Sequence, residues 1–379
     1  MKVSILAILG ALALGVSATP LSQNEARAGS KSFMGSNNYF LPGMSDQDQD
    51  AYIADLAKYG AKVVRVWVNQ QSAGSCVKGS KLAVSVPQLE TTLGKYNTQT
   101  LDAVDKVVNK LAQKGIKAII SPHDGNSLLV DRTKLTVTTR DVYSNKWGKD
   151  KFYTSQDAFD AYDKRIDAIL NYKGAHSGKV WKEWSDAIMA FDIQNEPMSA
   201  DTSVCKNNDQ KGWLCGRAKK FRSVLGAGNK IQIATGGIGG DISHNCNFIK
   251  AATTCAEIDL IAVHRYGGSE ASNKNQWSNG AKSWVSQSGG KLVFVEEWGV
   301  NTGSNNPKTE LPAQANDINS VGMPNLYWQF LPKKTCSYDP SKDSGDKFGI
   351  FVESDTDIAA VMKGASNANA IQDWSKVMG

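Results

Sequence analysis

The sequence predicts an α/β protein with one domain, built as a (β/α)8 TIM barrel in which helices surround eight parallel strands. Two observations lead to this prediction: eight short apolar runs recur along the chain, and segments with helical spacing of apolar residues lie between them. Near-continuous apolar runs are typical of parallel strands that are covered on their outer face. No Pro-rich or Gly/Ser-rich linker divides the 379 residues, and no repeat of about 20–50 residues is visible.

The eight runs are short and rich in β-branched residues, which favour strands. In chain order they comprise Phe33–Gly35 leading into Ser36–Tyr39, Lys62–Asn69, Lys117–His123, Ile188–Glu196, Lys230–Ala234, Leu260–His264, Lys291–Glu297 and Asn325–Phe330. Helical periodicity is readable in three intervening segments: Asp46–Lys58, Thr100–Lys114 and Ser155–Leu170. Gly60 and Gly115 follow the first two of them, as expected for glycines that end helices.

An open, doubly wound sheet is the alternative fold. Such a sheet normally carries a Gly-rich phosphate loop after its first strand, and no G-x-G-x-x-G pattern stands there. A run of glycines, Gly236–Gly240, follows the fifth apolar run instead. Because the acidic residue of a nucleotide site does not accompany it, we interpret this segment as a flexible loop.

The first 18 residues predict a secretory signal peptide. Lys2 precedes an apolar stretch, Ile5–Val16, that is shorter than the ~20 residues needed to span a bilayer. Val16-Ser17-Ala18 fits a small-residue cleavage site. We therefore expect residues 1–18 to be removed and residues 19–379 to form the mature, secreted, extracellular domain.

The six cysteines agree with export, since an even number in an oxidising compartment favours disulfides. Sequence proximity suggests two local pairs, Cys205–Cys215 and Cys246–Cys255, and leaves Cys76 to pair with Cys336. Other connectivities remain open. The cysteines form no C-x-x-C pattern, so a structural zinc site is not expected.

Composition excludes several kinds of partner. The formal charge of +6 comes from 43 basic and 37 acidic residues that are scattered without a basic block. Neither a nucleic acid nor a membrane surface is therefore an expected partner. We expect a monomer that uses no metal and no cofactor.

Polar and aromatic residues gather where the apolar runs end. In a (β/α)8 barrel the carboxyl ends of all strands meet at one mouth, where sites are built. The residues concerned are Arg65, His123, Asn195, Glu196, His264, Tyr266, Glu296, Glu297, Trp298 and Trp328. Each has an ordinary structural explanation taken alone, such as an ion pair or a helix cap. Their shared position predicts a functional site.

Two carboxylates on the fourth and seventh strands suit the hydrolysis of glycosidic bonds. One would protonate the departing sugar oxygen, and the other would attack the anomeric carbon from ~5–5.5 Å away in a retaining mechanism. Glu296 and Glu297 compete for the second role. Because neighbouring residues of a strand face opposite sides, only one of them is expected at the mouth.

The ordered motifs resemble those of glycoside hydrolase family 5 over nearly the whole mature chain. Asn195-Glu196-Pro197 resembles the acid/base motif of the family, His264-Arg265-Tyr266 its His-x-Tyr motif, and Glu297-Trp298-Gly299 its nucleophile motif. The resemblance implies that Glu196 is the acid/base and Glu297 the nucleophile. It also implies a supporting or substrate-binding role for Arg65, Trp67, His123, Asn195, His264, Tyr266, Trp298 and Trp328.

These roles carry an expectation about acidity. The acid/base Glu196 needs a raised pKa so that it stays protonated near the working pH. The nucleophile Glu297 must be ionised, so we expect Arg65 and Tyr266 to lower its pKa.

The family includes enzymes for several β-linked polymers. Tyr39–Pro42 and Arg65–Trp67 resemble segments of fungal mannanases, whereas Met198 and Gly267 stand where many of those enzymes have Arg and Pro. Endo-hydrolysis of β-1,4-mannan is therefore the favoured activity, with β-glucan and β-galactan as alternatives. Trp328 is the best candidate for a platform on which a sugar ring stacks.

Two further classes of barrel protein are alternatives to a glycoside hydrolase. A metal-dependent barrel hydrolase commonly carries paired histidines on its first strand, where Gly35–Tyr39 offers none. A barrel that binds carbohydrate without catalysis stays open, although the presence of both carboxylates argues against it.

Overall fold

A computed structural model of the chain describes residues 30–129, 141–198, 209, 211–238 and 246–379. In it, eight parallel strands close into a barrel in which each strand pairs with its neighbours in chain order. They are β1 Met34–Asn37, β2 Val63–Trp67, β3 Lys117–Ser121, β4 Ile188–Asp192, β5 Gln232–Ala234, β6 Leu260–Arg265, β7 Leu292–Trp298 and β8 Asn325–Tyr327. All eight predicted strands and the (β/α)8 fold are confirmed. The predicted signal peptide lies outside the described residues.

Helices follow the strands on the outside of the barrel. They are α1 Asp46–Tyr59, α2 Thr98–Gln113, α3 Gln156–Leu170, α4 Trp213–Leu225, α5 Ala251–Thr254, α6 Gln276–Gln287, α7 Pro307–Ser320 and α8 Ile358–Asn367. Shorter helical segments are Leu41–Gly43, Gly125–Leu129, Val142–Lys146, Gly148–Phe152, Trp181–Glu183, Pro340–Lys342 and Ser375–Met378. Among the described residues, no helix is both long enough and apolar enough to cross a membrane.

Three two-stranded sheets lie in the loops outside the barrel. Two of them are antiparallel and one is parallel. They pair Cys76–Val77 with Ser80–Lys81, Glu90–Thr92 with Lys95–Tyr96, and Phe330–Leu331 with Ile350–Phe351.

The predicted helices begin and end at local signals in the sequence. The hydroxyl of Ser45 accepts a hydrogen bond from the Asp48 amide at 3.1 Å, which caps the start of α1. Gly60 ends this helix with φ of 95°, a left-handed conformation that glycine adopts without steric cost. Asn97 caps α2 in the same way as Ser45 caps α1. The three helices predicted from periodicity are therefore confirmed to within two residues at each end.

The barrel interior has an apolar lower layer and a polar upper layer. The lower layer includes Val63, Ile119, Ala190, Ala262 and Phe294, and Trp374 packs against Phe33 and Phe294 beneath them. Because side chains on a strand alternate with a period of two, the residue two positions further on also points inward. Those residues are Arg65, Ser121, Asp192, His264 and Glu296, all of them buried. The upper half of the barrel thus carries a buried layer of ionisable groups.

The disulfides differ in part from the prediction. Cys76 pairs with Cys336, as predicted, with their Cα atoms 6.0 Å apart. Cys215 pairs with Cys255 instead, at 5.7 Å, so the predicted Cys205–Cys215 and Cys246–Cys255 pairs are wrong. The first turn of α4 lies against the end of α5, and this packing outweighs proximity in the sequence. Cys246 is also disulfide-bonded, and Cys205 lies outside the described residues.

Candidate active site

A cavity of about 650 Å³ opens where the barrel strands end. Of the ten residues to which the family resemblance assigns a role, six line it: Trp67, Asn195, Glu196, Tyr266, Glu297 and Trp328. Loop residues complete its wall, namely Tyr39, Asn69, Lys78, Asp124, Asn126, Asp343, Gly345, Asp346 and Phe348. The structure therefore confirms that residues from the ends of several strands meet at one mouth of the barrel.

Glu196 follows β4 and is held by hydrogen bonds on both oxygens. His264 Nδ1 lies 3.0 Å from its Oε1, and Asn126 Nδ2 donates to its Oε2 at 2.8 Å. Its backbone amide donates to the Gly236 carbonyl at 2.8 Å. The carboxylate is thus fixed at the mouth by residues from three different elements.

Glu297 lies at the end of β7 and faces Glu196. Arg65 Nη1 donates to its Oε1 at 2.6 Å, and the Tyr266 hydroxyl donates to its Oε2, also at 2.6 Å. One carboxylate oxygen of Glu196, one of Glu297 and one ring nitrogen of His264 all lie within 4.8 Å of one another. The two carboxylates therefore stand close enough to act on the same carbon atom.

Arg65 is the centre of the buried polar layer. Its Nε donates to Asp192 Oδ2 at 2.8 Å, and its Nη2 donates to Asn195 Oδ1 at 2.7 Å. Its guanidinium carbon lies 4.2 Å from the ring centroid of Trp67. The planar guanidinium of Arg presents five N–H donors in a fixed fork, whereas a Lys ammonium is a compact charge with three donors. Arg65 thereby fixes the positions of Glu297 and Asn195 relative to each other.

His264 bridges two carboxylates with its two ring nitrogens. Nδ1 faces Glu196, and Nε2 lies 2.9 Å from Glu296 Oε2. Burial alone would lower the pKa of the imidazole, but the surrounding carboxylates, Glu297 foremost, raise it to about 10. The ring is therefore an imidazolium at neutral pH, and both of its nitrogens donate.

The positions of the adjacent Glu296 and Glu297 correct the alternation argument. The register between β6 and β7 pairs Val263 with Val295 but His264 with Glu297, so Glu296 is an extra residue in a bulge. Glu296 keeps the inward direction that follows from Phe294, and after the bulge Glu297 also faces inward. Both carboxylates reach Arg65, at 3.3 Å and 2.6 Å, but of the two only Glu297 lines the cavity.

The acidities of the two mouth carboxylates are the reverse of the expected order. Burial raises the pKa of Glu297 to about 7, although His264 and Arg65 oppose this shift. The pKa of Glu196 is lowered despite burial, because His264 donates a hydrogen bond to it and carries a positive charge. The expectation of a raised pKa for Glu196 and a lowered one for Glu297 is wrong. Burial outweighs the two cations beside Glu297, whereas the hydrogen bond and the charge of His264 outweigh burial at Glu196.

Two of the predicted supporting residues lie behind the cavity wall. His123 accepts a hydrogen bond from the Gln194 side chain at 2.7 Å and pairs with Asp141 at 3.0 Å, so it braces the end of β4. Trp298 is fully buried and donates to Asn325 Oδ1 at 2.9 Å. It packs edge-on against Tyr327. These are the contacts of a core residue, and they do not support a role for Trp298 in substrate binding.

Three aromatic rings form one wall of the cavity. Trp328 stacks against Tyr39, with centroids 6.0 Å apart, and meets Trp67 edge-on at 5.7 Å. The indole nitrogen of Trp328 donates to Asp346 Oδ2 at 3.0 Å. The ring of Trp328 is therefore held in place by contacts on one face and at its edge.

The sequence model of one enzyme family, described as cellulase (glycosyl hydrolase family 5), matches residues 23–334. The chain belongs to this family. Its members hydrolyse O-glycosidic bonds, and the chain is accordingly a glycoside hydrolase.

Curated relatives of this family 5 hydrolase include fungal and plant proteins. Mannan endo-1,4-beta-mannosidase F of Aspergillus fumigatus is 25% identical over 343 residues, covering 85% of this chain and 71% of that protein. Mannan endo-1,4-beta-mannosidase 1 of Oryza sativa subsp. japonica is 23% identical over 261 residues, covering 65% and 54%.

Solved structures share the fold. The endo-1,4-beta-mannanase of Rhizomucor miehei has a TM-score of 0.66 at 20% identity and covers 89% of this chain and 97% of its own. The endo-1,4-beta-D-mannanase of Thermotoga petrophila has a TM-score of 0.62 at 19% identity, covering 88% and 99%.

Some residues of this hydrolase site were missed by sequence reasoning. Asp124 and Asn126 line the cavity directly after His123, so the strand-end argument could have included them. Lys78, Asp343 and Asp346 come from long rim loops, in which Lys78 Nζ lies 2.6 Å from Asp343 and 2.9 Å from Asp346. No periodic signal in the sequence indicates that these loops meet.

The glycine run after β5 also serves the site and was misread. A Cβ atom on Gly236 would lie 1.7 Å from the Gln194 carbonyl oxygen, and one on Gly237 would lie 2.1 Å from the His264 ring. Both residues have positive φ and are buried. The interpretation as a flexible loop is therefore wrong for Gly236 and Gly237, which let the chain pass close beside β4 and His264. Gly239 and Gly240 lie outside the described residues.

Two groups of side chains in the described ranges have the spacing of metal ligands. In one of them Cys215 and Cys255 are joined in a disulfide, so their sulfurs are not thiolates. The other is Glu196, His264 and Glu297, in which His264 Nδ1 contacts both carboxylates and Arg65 pairs with Glu297. Arg65 and protonated His264 already place two positive charges beside these carboxylates, and both charges would repel a divalent cation.

Proposed function

We propose that this family 5 hydrolase is an endo-acting β-1,4-mannanase that retains the anomeric configuration by double displacement. Glu196 is the acid/base and Glu297 the nucleophile. The observation that carries the mechanism is the approach of Glu196 and Glu297 oxygens to within 4.8 Å. Retaining glycosidases place their carboxyl groups ~5–5.5 Å apart, whereas inverting enzymes need ~6.5–9.5 Å to admit a water molecule.

The first step forms a bond from Glu297 to the anomeric carbon and breaks the bond from that carbon to the leaving oxygen. Arg65 and Tyr266 hold the two oxygens of Glu297 at 2.6 Å and aim the carboxylate at the cavity. Asn195 is fixed between Arg65 and Asp124, at 2.7 Å and 2.8 Å, where it would contact the sugar 2-hydroxyl.

The proton for the leaving oxygen comes through His264 in this mechanism. At rest the proton lies on His264 Nδ1, which faces Glu196 Oε1 at 3.0 Å. Its transfer along this hydrogen bond leaves a neutral imidazole and a protonated Glu196, without any change in the total number of protons. Glu196 then donates to the leaving oxygen and later accepts a proton from the attacking water. The lowered pKa of Glu196 in the free site is compatible with this route.

The choice of mannan rests on the relatives, since the curated matches described above are mannan endo-1,4-beta-mannosidases. Several residues in the cavity can meet a polysaccharide. Trp328 and Tyr39 offer apolar ring surface to sugar C–H groups, and Lys78 and Asp346 offer charged hydrogen-bonding groups beside them. The expected chemistry therefore combines stacking with specific hydroxyl contacts.

Release of reducing ends from pure polysaccharides tests the substrate. Linear β-1,4-mannan, β-1,4-glucan and β-1,4-galactan are compared at equal mass, with Glu297→Gln as the background control. We expect the highest kcat/KM on mannan, with oligosaccharides of several lengths appearing early, as internal cleavage requires. A higher kcat/KM on glucan or galactan would reject the substrate and leave the mechanism standing, and release of monosaccharide alone would reject endo action.

Proton NMR of the first product tests the stereochemistry separately. Two displacements at one carbon restore the original configuration, so a β-linked polymer should release the β-anomer before mutarotation. Early appearance of the α-anomer would require an inverting geometry and would contradict the assignment of Glu297 as the nucleophile.

A further inference from the structure

Two further carboxyl groups lie beneath the catalytic pair and are not used in the proposed mechanism. Asp192 on β4 and Glu296 on β7 are both fully buried. Asp192 Oδ2 accepts hydrogen bonds from Arg65 Nε and from the Ser121 hydroxyl. Glu296 Oε2 accepts from His264 Nε2 and lies 3.3 Å from Arg65 Nη2. One oxygen of each group is therefore accounted for.

The other oxygen of each group is an orphan. Asp192 Oδ1 and Glu296 Oε1 are buried, and no donor among the described residues reaches either atom. A buried acceptor without a partner is costly, and two buried like charges side by side are more so. Arg65 already serves Asp192, Glu296 and Glu297, so its single positive charge cannot neutralise all three.

One proton removes both difficulties. On Asp192 Oδ1 it cancels one negative charge and turns an orphan acceptor into a donor, while the second orphan, Glu296 Oε1, is an acceptor in need of one. The acidities agree with this placement. Burial, with Glu296 adding to it, raises the pKa of Asp192 to about 8 against the effect of Arg65. The pKa of Glu296 is lowered despite burial, through Arg65, His264 and a hydrogen bond from Asp192.

We propose that Asp192 and Glu296 share one proton, carried by Asp192 Oδ1 and donated to Glu296 Oε1, and that the pair positions His264 for catalysis. Glu296 remains ionised, accepts the Nε2–H of His264 and so turns Nδ1 toward Glu196. Asp192 and Glu296 are positioning residues, since they reach the substrate only through His264 and Arg65. The catalytic part of this inference rests on the proposed function, whereas the location of the proton does not.

The surroundings of the pair fix the expected pH dependence. The ionisable groups facing it are Arg65 from β2, His264 from β6, Glu297 from β7 and Tyr162 from α3. The pKa of Asp192 is raised in the folded protein above its ordinary value of 3.8. A raised pKa contributes stability that is fully present below the ordinary value and is lost as the pH rises through about 8. Above that pH two anions face each other beneath His264.

Infrared difference spectroscopy of the complete protein locates the proton. Because Glu297 also has a raised pKa, the spectra are recorded in the Glu297→Gln background. This variant should show the carbonyl band of a buried protonated carboxyl group that disappears as the pH rises through about 8, and the double variant Glu297→Gln/Asp192→Asn should lack that band. The same band in both proteins, or its absence from Glu297→Gln, would overturn the proposal whatever the enzyme hydrolyses.

Kinetics of two variants test the positioning role. An Asn side chain at position 192 keeps a neutral donor toward Glu296, so kcat should stay within about tenfold of wild type. Asp192→Val removes donor and acceptor and should lower kcat about 100-fold with little change in KM. The midpoint of thermal unfolding of Asp192→Asn should also fall less than that of wild type as the pH rises through about 8. Equal kcat losses for Asn and Val, at every pH, would mean that Asp192 is ionised and would refute the shared proton.

Asp105→Asn is a matched control for burying an amide. Asp105 is also fully buried, but it accepts hydrogen bonds from the His176 and Ser177 amides, the Ser177 hydroxyl and the Trp181 indole. An amide there turns its NH2 group against donors, so the variant should lose stability at all pH values. The infrared band assigned to Asp192 should be unchanged.

Discussion

Replacing Glu297 by Gln is expected to lower kcat by at least about 10⁴-fold, because an amide cannot form the covalent intermediate. The Gln side chain keeps the size of Glu, but its NH2 group must face either Arg65 or the Tyr266 hydroxyl. Some loss of stability is therefore expected as well. Thermal unfolding of the variant, measured beside its activity, separates the two effects.

Glu196→Gln should behave differently in a way that identifies the acid. It removes the proton donor, a contribution of ~10²–10⁴ in rate. A substrate with a good leaving group, such as an activated aryl glycoside, needs no protonation in the first step. On that substrate Glu196→Gln should form the intermediate at a nearly normal rate, whereas Glu297→Gln should remain inactive.

A matched control is available on the outside of the barrel. Glu310 on α7 is buried, accepts a hydrogen bond from Gln314 at 2.8 Å and is not among the residues that line the cavity. Glu310→Gln should alter stability but not turnover. Near-normal turnover by Glu297→Gln would contradict the assignment and direct attention to Glu296, which also reaches Arg65.

The fold could be predicted because each barrel strand is recognisable from its own local sequence. Each is a short apolar run, and the connections between them carry ordinary helix signals such as Ser45 and Gly60. The mouth was predictable for the same reason, since polar residues that end parallel strands meet at one edge. Position at a strand end indicates Glu196 and Tyr266 in this way, whereas the choice of Glu297 over Glu296 depends on the resemblance of Glu297-Trp298-Gly299 to the family motif.

The sequence could not show which distant groups meet. Asp192 stands inside an apolar run and Glu296 inside a bulge, so their convergence on Arg65 depends on the register of β4 and β7. The Cys215–Cys255 bridge likewise depends on how α4 packs against α5. The order of the pKa values follows from the burial of Glu297 and from the contact of His264 with Glu196, and no pattern in the sequence reveals either.

Arg65 is the residue whose loss should damage stability most. Its guanidinium is fully buried and lies within 3.3 Å of the carboxylates of Asp192, Glu296 and Glu297. Removing one partner from a buried ionic network leaves uncompensated charge and typically costs about 3–5 kcal/mol. Arg65→Met keeps much of the side-chain length and should therefore lower the free energy of unfolding by about this amount at neutral pH.

Arg65→Met should also change the pH dependence of kcat, which a loss of stability alone would not do. Arg65 lowers the pKa of Glu297, so without it the nucleophile stays protonated to higher pH, and the acidic limb of kcat should move upward. Arg65→Lys keeps the positive charge but loses the planar guanidinium that contacts four side chains at once. Compared with Arg65→Met, it should therefore recover part of the stability and little of the activity. Arg217→Met is the matched control, because Arg217 is buried against Asp163 at 2.7 Å on the outer helices. It should lower stability and leave the pH profile in place, and a pH profile for Arg65→Met that matches wild type would refute the role assigned to Arg65.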